Sequence, residues 1–191
     1  TTLIKLMLGF YDPVKGDILL GGVSLKRYSQ SEWRKRCGVV MQEGFIFSDT
    51  IAGNIGLIDE IPDREKIDRA VETANIRDYI ESLPLGYNTR IGNDGQGLST
   101  GQKQRLLIAR AVYKDPDFIF FDEATNALDA TNERTIMENL GAFFEGKTVV
   151  IVAHRLSTVK NADQIIVLDK GEVAETGTHR ELVSRKGAYF N

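Results

Sequence analysis

The sequence predicts an α/β domain built on a parallel sheet. Three observations carry that prediction. First, Gly38–Met41, Phe118–Asp122 and Thr148–Ala153 are short, apolar runs of strand length without polar alternation, as expected of strands covered on both faces. Second, a helical pattern over Thr131–Phe144 separates the last two, which is the spacing of a crossover unit. Third, the stretch from about Ile51 to Val112 holds helices and loops but no convincing core strand, and so reads as a helical insert.

The elements follow in order. Thr1–Leu8 reads as helix, with Leu3, Leu6 and Met7 on one face and Gly9 as its stop. It has neither a cap nor a leading strand, so the N-terminal part of the fold is expected to lie in a longer polypeptide. The next residues read as short strands with turns at Gly16 and Gly21–Gly22, a partial β-subdomain. After Gly38–Met41 comes a polar break at Gln42–Gly44. Asp63 caps an amphipathic helix to Asn75 that places Ile67, Ala70, Val71 and Ala74 on one side. A shorter helix, Arg77–Leu83, stops at Pro84, and a Gly-rich loop follows. Beyond Thr148–Ala153 come a short helix (Leu156–Asn161), a strand (Gln164–Leu168) and a hairpin turn at Lys170–Gly171. The domain division is 1–50 with 113–191 for the sheet-bearing core and 51–112 for the helical part.

Composition narrows the function classes. The 191 residues suffice for one domain with a hydrophobic core, and a net charge of −3 gives no reason to expect nucleic acid as a partner. No run approaches the roughly 20 apolar residues of a membrane-spanning helix. The single cysteine, Cys37, reads as an apolar filler beside a strand.

Two local patterns point to chemistry. Asp122 and Glu123 close an apolar strand at the sheet edge where ligands of open α/β folds bind. Adjacent acids there can hold a metal–phosphate complex and orient water, or can simply mark a strand running out into solvent. His154 leaves the next strand at the same edge, where an imidazole is either structural or a phosphate contact; the other histidine, His179, lies at no metal-ligand spacing from it. The second pattern is Ser99-Thr100-Gly101-Gln102 at a helix start. Ser99 and Gln102 form a capping-box pair, which needs no ligand, but Gly101 in the first turn costs about 1 kcal/mol against Ala. A helix start of this kind is also an anion site, and both readings stand.

Together, "LSTGQ", the helix after it, "FIFFDEATNALD" and "TVVIVAH" resemble, in order and spacing, the nucleotide-binding domain of ATP-binding cassette (ABC) transporters across essentially the whole chain. LSTGQ resembles the signature LSGGQ with Thr100 at a usual Gly, Phe118–Asp122 the Walker B strand, and "NALD" the D-loop, with Asn126 where Ser is usual. Gln42 matches the Q-loop glutamine. "TTLIKLMLGF" resembles the sequence after the lysine of a Walker A motif, so Thr1 matches its hydroxyl residue. The motif's glycines and lysine are absent from this stretch, and little ATPase activity is expected of the 191 residues alone. "MQEGFIFSDTIAGNI" and the loop before the signature are exporter-like, with Asn93 where that loop commonly carries Glu.

The resemblance implies a P-loop NTPase (RecA-like) fold and an ATPase that drives export, with ATP and Mg²⁺ as its ligands. It implies Glu123 and His154 as catalytic residues, and Thr1, Asp122 and Gln42 at the metal. Thr1, Thr2, Gln42, Asp122 and Asp129 would bind nucleotide, and Ser99, Gly101 and Gln102 would reach the ATP of a second, head-to-tail domain. The implied partners are that domain and a transmembrane domain, at the cytoplasmic face of the cell membrane, in a bacterium the inner one. Related families remain as alternatives. Chromosome-organising and DNA-repair ATPases insert long coiled coils between Q-loop and signature, whereas here that segment is compact. Ribosome-associated cassette proteins usually carry two cassettes. A non-catalytic fragment is the third alternative.

Overall fold

The chain begins with α1 (Thr2–Met7), whose buried positions are Ile4 and, just beyond it, Leu8. Sequence spacing favoured Leu3, Leu6 and Met7, but Leu3 is about half exposed; in a six-residue helix both stripes are apolar, and packing against Trp33 and Phe120 selects the Ile4–Leu8 pair. β1 (Leu19–Leu20) and β2 (Val23–Ser24) pair antiparallel across Gly21–Gly22, whose φ of +57° and +81° suit a tight hairpin and are costly for other residues. α2 (Gln30–Lys35) is capped by Ser29 and buries Trp33, whose indole donates to the Met7 carbonyl at 2.9 Å.

β3 (Cys37–Val40) leads into the loop at Gln42. The next elements are β4 (Asp49–Thr50), α3 (Ile51–Ile55), α4 (Arg64–Thr73), α5 (Arg77–Glu81) and β5 (Arg90–Ile91). β5 pairs with β4, so the helical stretch does carry a two-residue strand, too short for its sequence to show alternation. Asp63 caps α4 as expected, its carboxylate accepting from the Glu65 and Lys66 amides. Asp63→Ala is expected to cost about 1 kcal/mol, measured as a lowered urea midpoint.

α6 (Thr100–Lys114) is the long helix of this stretch. β6 (Phe118–Asp122), α7 (Ala130–Phe144) and β7 (Thr148–Val152) follow. The parallel sheet has the order β3-β6-β7, with Val40 opposite Phe121 and Asp122 opposite Val152. Both its faces are covered, and the side chains alternate between them. Phe118, Phe120, Val150 and Val152 lie with α1 and α2, while Ile119, Phe121, Val149 and Ile151 join the large cluster built with α3, α4, α6 and α7. That alternation explains the continuously apolar strands. The helical stretch and the sheet share this one core.

These elements form one compact unit, Thr1–Val152, in a computed structural model that describes residues 1–191 except Asn93, Asp94, Gln96, Asn126, His154 and Asn191. The second unit, from Ala153 on, contains α8 (Leu156–Val159), β8 (Ile165–Asp169), β9 (Glu172–Gly177) and α9 (His179–Arg185). β8 and β9 pair antiparallel across the hairpin turn that the sequence places at Lys170–Gly171. The reason is local: Lys170 and Gly171, at φ +48° and +84°, turn the chain straight back on itself.

Candidate functional site

Because β3, β6 and β7 run the same way, their C-terminal ends share one edge. Gln42 leaves it two residues after β3, exposed, and Asp122–Glu123 leave it at the end of β6. His154, two residues past β7, lies outside the described residues, as do Asn93 and Asn126.

Asp122 is 1% exposed, and a carboxylate so placed needs compensating donors. Thr1 supplies one: its Oγ1 donates to Asp122 Oδ2 at 2.5 Å, across 121 residues of sequence. The Thr1 nitrogen lies 3.3 Å from Oδ1. Thr1 occupies the N-cap position of α1 without making a side-chain cap bond, so its hydroxyl serves the carboxylate instead. Thr2, the first residue of α1, is exposed. A hydroxyl and a carboxylate at a helix start form an all-oxygen donor set, which suits a hard cation such as Mg²⁺ better than a soft one. Among the described residues no cluster of three or more His, Cys, Asp and Glu side chains offers another metal site.

Glu123 has φ +53°, uncommon for a residue with a Cβ, and its amide donates to the Val152 carbonyl at 3.0 Å. A left-handed residue of this kind costs on the order of 1–3 kcal/mol and persists where surrounding structure holds it. Here the parallel ladder ends with β7 gripping the Glu123 amide. The loop beyond is held by a buried pair that sequence reasoning missed, Thr125 Oγ1 donating to Glu133 Oε1 at 3.0 Å. The available signal was an acid on the inward side of α7.

At the start of α6 the capping box is complete: Ser99 Oγ accepts from the Gln102 amide at 3.2 Å, and Gln102 Oε1 accepts from the Ser99 amide at 2.9 Å. The capping reading of Ser99 and Gln102 is therefore satisfied within the chain. Gly101 differs. A Cβ there would sit 3.5 Å from the Ala127 carbonyl and 3.8 Å from Leu128, ordinary contacts, so among the described residues nothing demands glycine. Asp129 caps α7, accepting from the Thr131 and Asn132 amides and from the Asn132 side chain; that side chain, then those amides, hold its carboxyl below the usual range.

A second polar centre, also missed from sequence, anchors the loop after Gln42. Arg110 of α6 donates to the Phe45 carbonyl (2.9 Å), the Asn54 carbonyl (2.8 Å) and Asn54 Oδ1 (3.0 Å), and burial pulls its guanidinium down to about 10. Fully buried Asn54 in turn bonds the Phe47 amide and carbonyl. Cys37, buried beside β3, has its thiol pushed up to about 11 by desolvation. Neutral thiol is poorly nucleophilic, so alkylation of Cys37 by iodoacetamide at pH 8 is expected only in urea concentrations that unfold the chain.

This architecture matches known proteins closely. The ABC transporter family model matches residues 1–126. An ATP-dependent lipid A-core flippase of Ralstonia nicotianae is 45% identical over 193 residues, covering 99% of this chain and 32% of the flippase. The ABC multidrug transporter MDR5 of Trichophyton rubrum is 47% identical over 192 residues, covering all of this chain and 15% of that protein. Among solved structures, a bacterial Atm1-family ABC exporter with ATP bound superposes with a TM-score of 0.93 at 41% identity, over 99% of this chain and 33% of the exporter. The chain thus spans about a third of the length of the flippase and of that exporter. With a P-loop NTPase fold, an acid pair closing β6 and a capped helix in the LSTGQ position, the chain belongs to the ABC transporter family.

Proposed function

We propose that this chain is the nucleotide-binding part of an exporter, binding and hydrolysing ATP to drive a substrate across a membrane. The observation that carries the reading is the contact of Thr1 with the buried carboxylate of Asp122, at the strand edge from which Glu123 also leaves. Thr1 and Asp122 would hold Mg²⁺, which when bound neutralises charge on the phosphate oxygens. Gln42 and His154 would contact the terminal phosphate, and Thr2 a neighbouring one. Glu123 would orient a water and accept its proton as the oxygen attacks the γ-phosphorus and the bond to ADP breaks.

Ser99, Gly101 and Gln102, with Asp129 nearby, would serve the ATP of a second, head-to-tail copy of the domain. That role accounts for Gly101, which packing among the described residues does not require. ATP then favours the closed pair only as far as it binds closed better than open. Residues 51–112 would pass closure to a transmembrane domain, on the cytoplasmic side of a membrane, in a bacterium the inner one.

The test is Mg²⁺-dependent ATP hydrolysis and ATP-driven substrate transport by the complete protein in proteoliposomes. Absence of hydrolysis there would refute the reading. Gly101→Ala is expected to leave the nucleotide-free domain as stable or up to about 1 kcal/mol more stable, since Ala suits a helix better. The same variant should weaken ATP-dependent pairing of the two domains, read by thermal melting and by sedimentation with ATP.

A further inference from the structure

A line of hydrogen bonds joins the helix that begins after Ser99 to the cap at Asp129. Arg105 Nη1 of α6 donates to the Asn75 carbonyl at 2.7 Å. Asn75, just beyond α4, donates through Nδ2 to Asn132 Oδ1 at 2.9 Å. Asn132 of α7 then donates through Nδ2 to Asp129 Oδ2 at 2.6 Å, and through its backbone amide to Oδ1 at 3.0 Å. We propose that Asn75 and Asn132 are positioning residues that tie the Asp129 cap to the helical stretch, so that displacement of α6 is transmitted to Asp129. The purpose of that motion rests on the ATPase reading above; the tie itself does not.

The chemistry favours a tie over mere helix packing. Asn132 uses the two ends of its amide in opposite directions, its oxygen toward Asn75 and its nitrogen toward Asp129. Neither neighbour can shift without straining the other bond. Asn75 stands in left-handed backbone at φ +50°, where glycine is the cheaper residue; its amide is the reason for a side chain there. α7 also meets the end of α4 independently, through Asn139 Nδ2 to the Glu72 and Thr73 carbonyls at 3.3 and 3.4 Å. Holding the two helices together therefore does not require the Asn75–Asn132 bond.

The test uses the complete protein. Asn75→Gly keeps the left-handed backbone and the carbonyl that Arg105 needs, and removes only the amide. Hydrogen exchange at the Thr131 and Asn132 amides, which bond Asp129, is expected to quicken about fivefold, the scale of one net hydrogen bond. The kcat for ATP should fall by a similar factor with KM nearly unchanged. Asn132→Ala should act in the same direction, and the double variant should be no worse than the more severe single. Asn139→Ala should leave both readouts unmoved. The proposal is overturned if exchange at both amides is unchanged in Asn75→Gly and Asn132→Ala, if Asn139→Ala reproduces their effects, or if the two substitutions add. The exchange measurement needs no nucleotide, so a wild-type protein without ATPase activity would sink the functional reading while exchange still decides the tie.

Discussion

In the complete protein, Glu123→Gln is expected to lower the rate of ATP hydrolysis by about 10²–10⁴-fold, the range lost when a positioned acid–base group is removed. ATP binding should survive, because the isosteric amide keeps the shape at the end of β6 and leaves Asp122 and Thr1 in contact. The left-handed backbone at Glu123 holds the residue just past the ladder, one position after the buried Asp122. The substitution therefore removes a proton acceptor without moving its frame. Radiolabelled ATP retained by filter binding, alongside phosphate release, separates the two effects. Turnover within twofold of wild type would take Glu123 out of the catalytic role.

The largest expected effect on stability is at Phe121. Its ring is 2% exposed, sits in β6 at the centre of the sheet and meets Phe144 of α7 at a centroid distance of 5.7 Å. Phe121→Ala removes that apolar surface and leaves a cavity between the sheet and α7, at a cost of about 3–5 kcal/mol. Against a total of roughly 5–15 kcal/mol for a typical domain, the variant should unfold at a much lower urea concentration or fail to accumulate as folded protein. Phe45→Ala gives the contrast. Phe45 is 65% exposed, and its carbonyl, which Arg110 uses, remains after substitution. A shift of less than about 0.5 kcal/mol is expected there. Equal midpoints for the two variants would show that β6 does not organise the core.

How much of this was legible in the sequence varied with the range of the interaction responsible. Caps act within four residues, so Asp63 and the Ser99–Gln102 box could be read directly and recur in the structure. The bounds of β6 were legible for a related reason: burial on both faces removes polar residues from the strand, and Asp115 and Glu123, each in left-handed backbone, bracket it. The buried face of α1 was misread because six residues are too few for periodicity to separate two apolar stripes. The β8–β9 hairpin was legible because its turn is local: Lys170–Gly171 takes the left-handed backbone that sends the chain back on itself.

The sequence by itself determined the α/β class, the parallel strands, the helix caps and the identity of the acids closing β6, since each depends on local pattern or on the burial demanded of a strand. Only the tertiary structure decided that Thr1 and Asp122, which the resemblance puts at one metal site, bond each other directly, that Arg110 and Asn54 fasten the loop after Gln42, and that Asn75 meets Asn132. Those contacts join residues 56 to 121 positions apart, and a polar side chain at one end carries no trace of its partner until chain folding brings both out of water together.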